Sequence, residues 1–167
     1  MAEITFKGQK AHTLGDLPKV GSKALDFELV NVDLTEVKLS KLSGKKKVLN
    51  IFPSVDTAVC SLSVKTFYEK LANRDDVNVL NISKDLPFPL ARQLSDLGNA
   101  KNVYGLSAFR STFSKDYGLE LADTPLRGLC SRAVIVLDED DKVLYSEQVP
   151  EITQEPNYDK VLEALKI

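Results

Sequence analysis

The stretch Val48-Leu49-Asn50-Ile51-Phe52 constrains what this chain can fold into more than any other feature. A run this apolar suits a strand covered on both faces, and Pro53 stops it because proline cannot donate to a ladder. Beyond it Cys60, Val64, Phe67, Tyr68 and Leu71 recur at helical spacings and share one face. Val77-Asn78-Val79-Leu80-Asn81-Ile82 reads as a second central strand. Strand, helix and strand in that order predict a right-handed crossover unit at the heart of a layered α/β domain.

Other elements attach to this unit on either side. Ile4 and Phe6 alternate with Thr5 and Lys7, Gly8 marks a turn, and Ala11 to Leu14 can return, which predicts an N-terminal hairpin over residues 1–15. Phe27 to Val30 and Val37 to Leu39 read as a strand pair, or as a strand and an extended segment. Pro89 to Leu97 reads as a short helix ended by Gly98, and Phe109, Phe113 and Tyr117 line a further helix stopped by Gly118. Ala133 to Leu137 is a third buried strand, paired with Val143-Leu144-Tyr145 across a polar turn, and Tyr158, Val161, Leu162 and Leu165 face a closing helix. With 167 residues the expectation is one domain, 1–167, around a mixed sheet.

Composition removes several classes of function. Two cysteines, Cys60 and Cys130, are too few for a disulfide framework, and a single histidine with no ligand spacing argues against zinc, so neither metal nor cofactor is expected. The net charge of -2 has its signs interleaved. Lys45-Lys46-Lys47 reads as a solvated turn before a buried strand rather than a nucleic-acid patch. No long apolar stretch follows Met1, so no signal peptide or membrane span is expected, and a cytoplasmic protein is the default.

Cys60 opens the helix that follows Pro53. Free N–H groups and the positive dipole end at a helix N-terminus can hold a thiolate there. Cysteine on an apolar helix face is also a common inert core residue, and both readings stand on residue type alone. Thr57, three positions upstream, can bring a hydroxyl near the sulfur, and Asp56 can cap the helix. Arg132, at the mouth of the third buried strand, is a good candidate for the cation that would complete a site.

The run Pro53-Ser54-Val55-Asp56-Thr57-Ala58-Val59-Cys60 resembles the active-site signature of peroxiredoxins. Lys46 to Thr57, Ser83-Lys84-Asp85-Leu86-Pro87-Phe88, Ser131 to Asp138 and Glu151 to Tyr158 look like the bacterial thiol peroxidase branch of that family, and the likeness spans nearly the whole chain. The resemblance implies a thioredoxin-like α/β fold, with helices flanking a central mixed β-sheet and an added N-terminal β-hairpin, in a homodimer. It implies that Cys60 is the peroxidatic cysteine, leaving as a sulfenic acid after attack on a peroxide. Thr57 would hydrogen-bond the thiolate and the peroxide, Pro53 would shield the pocket, and Arg132 would hold the thiolate and polarise the O–O bond. Organic hydroperoxides, then hydrogen peroxide, would be the substrates, with thioredoxin or another thiol as reductant. A cation and hydrogen bonds near a sulfur favour its ionised form, and donors aimed at the departing oxygen supply the larger share of rate.

The chain departs from this pattern where family members carry a resolving cysteine. Leu94 stands at that position. Cys130, two residues before Arg132, would point to the same side if both lay on one strand, and could then resolve the sulfenic acid; the alternative is a small buried hydrophobe. Three outcomes are open for the oxidised protein: an external thiol, Cys130 within the chain, or cross-linked subunits. Phe88, Leu90 and Leu94 can line an apolar entrance or simply pack in the core. His12 reads as structural. A peroxide-sensing regulatory protein with little turnover is the rival to an enzyme.

Overall fold

The computed structural model describes residues 1–167. A hairpin comes first, β1 (Glu3–Phe6) and β2 (Gln9–His12), followed by β3 (Glu28–Asn31), β4 (Glu36–Lys38), β5 (Lys46–Ile51), α1 (Ala58–Leu71) and β6 (Val77–Ser83). After these come α2 (Pro87–Leu97), β7 (Val103–Ser107), the single turn α3 (Phe113–Asp116), β8 (Ala133–Leu137), β9 (Val143–Gln148) and α4 (Tyr158–Leu165). Seven strands form one sheet in the order β4-β3-β7-β6-β5-β8-β9, with β5, β6 and β7 parallel and the outer pairings antiparallel. This is the thioredoxin-like arrangement, with the hairpin added outside the main sheet.

Strand alternation divides the interior into two cores. Leu49, Ile51, Leu80, Ile82 and Ile135 face one side with Phe27, Phe113 and Tyr117. Val48, Val79, Val134 and Val136 face the other, under α1, α2 and α4. Phe67 and Leu71 of α1 are fully buried there, each contributing roughly 1.5–3 kcal/mol.

One strand lies outside the expectations and one helix needs correction. Val103–Ser107, in a stretch that the local sequence pattern leaves unassigned, is a central strand with Gly105 in its middle. The glycine is there because α2 comes close: a Cβ on Gly105 would stand 3.1 Å from Leu90 Cβ and 3.0 Å from Val32 Cγ1. The helix expected from Phe109 to Tyr117 shrinks to one turn. Phe113 and Tyr117 pack against Phe27 with ring centroids 5.3 and 6.1 Å apart, while Phe109 is exposed outside the turn.

The hairpin turns through Lys7 and Gly8, both at positive φ (51° and 78°). Such a two-residue turn matches the twist of its strands. Ile4 and Ala11 bury against Leu121 and Ile152, and Thr5 exchanges backbone hydrogen bonds with Pro150 and Ile152 at 2.7 and 2.9 Å. The hairpin is thereby joined to the segment after β9. No helix is long and apolar enough to cross a membrane.

Candidate active site

At the carboxyl end of β5 the chain leaves the sheet through Pro53–Asp56 and enters α1 at Thr57, not Asp56. Thr57 has extended backbone angles (φ -90°, ψ 150°), and its hydroxyl accepts from the Cys60 N–H at 3.3 Å. The same hydroxyl donates to the Ser54 carbonyl at 3.2 Å. Asp56 instead points outward and pairs with Arg92 of α2. Threonine wins the cap because its oxygen sits three residues before an orphan helical N–H.

The loop is gripped from β6. One carboxylate, Asp85, accepts from the Ser54 hydroxyl and the Val55 N–H, both at 2.8 Å, and from the Ser83 hydroxyl at 2.5 Å. Beneath α1 the Ser63 hydroxyl donates to the Cys60 carbonyl at 2.8 Å, and Asn50 bridges Ser63 to Asn81 at 3.2 and 2.9 Å. Every buried polar group in this chain of contacts has a partner, which holds the first turn of α1 in one position.

Cys60 is fully buried, and Arg132 donates from Nη2 to its Sγ at 3.3 Å. Arg132 Nε donates to the Ile152 carbonyl at 2.7 Å, and its own carbonyl accepts from Val149 and Gln148 of the neighbouring segment, both at 3.0 Å. Arg132 is only 2% exposed, yet its Nη1 has no hydrogen-bond partner. A buried cation with a free donor and sulfur as its polar neighbour is prepared for an anionic oxygen.

A cavity of about 290 Å³ opens beside this pair. Thr57 and Arg132 lie on its wall, with Pro53, Val59, Leu129 and Ile152 giving it an apolar lining. The hairpin adds Phe6 and Lys7. Cys60 stands behind its two polar partners.

Pro53, Thr57, Cys60 and Arg132 are thus brought together. Phe88, Leu90 and Leu94 do not line this cavity: Phe88 is 63% exposed, while Leu90 and Leu94 are buried under α2 in the core that also holds Cys60. Cys130 packs with Ala133 and Ile135 in the opposite core, so the sheet separates it from Cys60. The two-residue parity fails because residues 130 and 131 precede β8 and pair elsewhere. Cys130 bridges Glu120, and the Ser131 N–H donates to Leu119 at 2.9 Å. Burial pushes the Cys130 thiol up to about 12, where little reactive thiolate forms.

His12 Nδ1 donates to the Asp123 carboxylate at 2.7 Å and stands apart from the cavity lining. No group of three or more His, Cys, Asp or Glu side chains gathers to hold a metal. Sequence reasoning missed the grip of Asp85 and the hairpin's share of the cavity. The Ser-Lys-Asp run was visible as a motif, but nothing local says that its carboxylate reaches back to the loop before Cys60.

A family model described as Redoxin matches residues 19–162. The thiol peroxidase of Corynebacterium glutamicum is 51% identical over 165 residues, covering 99% of each chain. The thiol peroxidase of Mycobacterium tuberculosis is 48% identical over 165 residues with the same coverage. Among solved structures, a peroxiredoxin-like protein from Aquifex aeolicus superposes with a TM-score of 0.92 at 36% identity, over 99% of this chain and 96% of that one. A thiol peroxidase from Chromobacterium violaceum gives 0.85 at 25% identity, over 98% and 95%.

Proposed function

Because the chain belongs to the Redoxin family and, within it, to the thiol peroxidases, which reduce peroxides through a cysteine, we propose that Cys60 is its peroxidatic cysteine. The observation that carries this is the Arg132 guanidinium, with one nitrogen 3.3 Å from Sγ and another buried and unpartnered beside an apolar cavity. The Cys60 thiolate attacks the terminal oxygen of a hydroperoxide. The S–O bond forms as the O–O bond breaks, the sulfur is oxidised to sulfenic acid, and the departing alkoxide takes a proton to leave as the alcohol. Arg132 Nη1 is the donor for charge growing on the departing oxygen. Thr57 holds the Cys60 amide and sets its hydroxyl oxygen on the cavity wall where the peroxide arrives, and Pro53 lines the same cavity. The apolar lining supports organic hydroperoxides over hydrogen peroxide.

An external thiol completes the cycle. Leu94 stands at the family's resolving position, and Cys130 lies across the sheet. A first thiol displaces water from the sulfenic acid to form a mixed disulfide, and a second releases Cys60 and leaves as the oxidised disulfide. Thioredoxin serves in this scheme as a thiol attacking the mixed disulfide. Leu62, Leu86 and Phe88, exposed near the same end of the sheet, are the surface for a second copy in a homodimer.

Intact-mass measurement of denatured, non-reduced protein after one equivalent of cumene hydroperoxide tests this scheme. Wild type and Cys130→Ser both gain one oxygen, and Cys60→Ser gains none. Loss of two hydrogens in wild type, absent from Cys130→Ser, would refute the external-thiol cycle. No change in any of the three would refute the role of Cys60.

A further inference from the structure

The hairpin tip holds a residue that its turn does not favour. Turns with two positive-φ residues prefer Asn-Gly or Asp-Gly, and a long side chain in the left-handed region is disfavoured; here the pair is Lys7-Gly8, at φ 51° and 78°. Uncommon backbone states that persist are held by their surroundings and cluster at functional positions. Glu151 does the holding, with its carboxylate accepting from the Gly8 N–H at 2.8 Å, the Lys7 N–H at 3.3 Å and the Thr5 hydroxyl at 3.1 Å. Thr153 takes one of the same oxygens through its N–H and hydroxyl at 2.9 and 2.8 Å.

Glu151 therefore serves the backbone and leaves the Lys7 ammonium without a carboxylate partner. That ammonium lies 5.4 Å from the centroid of the Phe6 ring, and Phe6 and Lys7 both line the cavity in front of Cys60. The hairpin's other ion pairs use Lys10, His12, Glu3 and Asp123. Along the cavity wall the charged residues are Lys7 and Arg132, and no acid accompanies them. Arg132 is committed at the sulfur. Lys7 is left as a cation without an ion-pair partner on an exposed tip, next to an apolar cavity.

We infer that Lys7 is a specificity-determining residue that makes this cavity favour hydroperoxides carrying a carboxylate over neutral ones of the same shape. The inference rests on Cys60 as the peroxide-reducing centre. The apolar tail lies against Phe6, Leu129 and Ile152, the hydroperoxide reaches Arg132, and the carboxylate meets the ammonium. Because that pair is exposed to water, its contribution is modest, about two- to five-fold in rate at low salt, and it fades as ionic strength rises.

The test compares a medium-chain hydroperoxy fatty acid with its methyl ester, following Cys60 oxidation in reduced protein by stopped flow. The quantity read is the acid-to-ester ratio of second-order rate constants within each protein, so a general change of rate cancels. Wild type favours the acid by about two- to five-fold at low salt. Lys7→Asn brings the ratio to about one while suiting the turn, since Asn-Gly is favoured there, so its melting temperature does not fall. Lys7→Glu carries the ratio below one. A wild-type ratio near one, or the same ratio in wild type and Lys7→Glu, would overturn the inference. If cumene hydroperoxide and both test peroxides all fail to oxidise wild-type Cys60, the peroxidase reading falls and takes this inference with it.

Discussion

Replacing Arg132 by methionine separates catalysis from stability, because the two depend on different properties of the same side chain. The substitution removes the Nη2 donor to Sγ at 3.3 Å and the unpartnered Nη1 on the cavity wall. A single donor aimed at a developing oxyanion is worth about 10²–10³ in rate, so the second-order constant for Cys60 oxidation should fall by about that factor. Stability responds otherwise. The Ile152 carbonyl loses its partner at 2.7 Å, at a cost of roughly 1–3 kcal/mol. Against that, a buried charge with an unsatisfied N–H disappears, and apolar replacement of buried ionic groups is often neutral or stabilising by about 1–4 kcal/mol. Methionine itself brings no charge or polar donor into the site. The two contributions nearly cancel, and urea unfolding of the reduced variant should give a free energy within about 1 kcal/mol of wild type. The assay pair is stopped-flow oxidation by cumene hydroperoxide and equilibrium unfolding. A rate loss under about tenfold, or a stability loss above about 3 kcal/mol, would refute the reasoning that Arg132 is held for chemistry against the preference of the fold.

Asp85→Ala should leave the Val55 N–H and Ser54 hydroxyl without their acceptor, costing about 1–3 kcal/mol in urea unfolding. Cys60 oxidation should slow as well, since the loop before Thr57 is no longer held; an unchanged rate constant would argue against that grip. The hairpin anchor predicts a pH response. The N–H groups of Thr153 and Gly8 and the hydroxyls of Thr153 and Thr5 hold Glu151 at about 2, well below its ordinary 4.5. A carboxyl lower in the folded state binds fewer protons there, so its stabilisation is complete above the unfolded value. It is lost as pH falls from about 4.5 towards 2, and Glu151→Gln should flatten the unfolding curve across that window while leaving its slope near neutrality unchanged.

The local pattern of this chain determined its central unit. Alternating and near-continuous apolar runs place Val48 to Phe52, Val77 to Ile82 and Ala133 to Leu137 in strands, and the spacing from Cys60 to Leu71 sets the helix between the first two. Those signals are periodic over a few residues, so the local order of residues alone carries them. Tertiary structure decided what depends on contacts between distant segments. Gly105 sits inside a strand that local pattern does not announce, because Leu90 and Val32 occupy the space a side chain would need. Cys130 shares strand parity with Arg132 by number, yet its pairing with Glu120 turns it to the other core. Asp85 reaches across to Val55, and the hairpin brings Lys7 to the cavity through Glu151, more than a hundred residues away in sequence. Periodicity reports which face of an element is buried, but the partner on that face is chosen by packing over the whole chain.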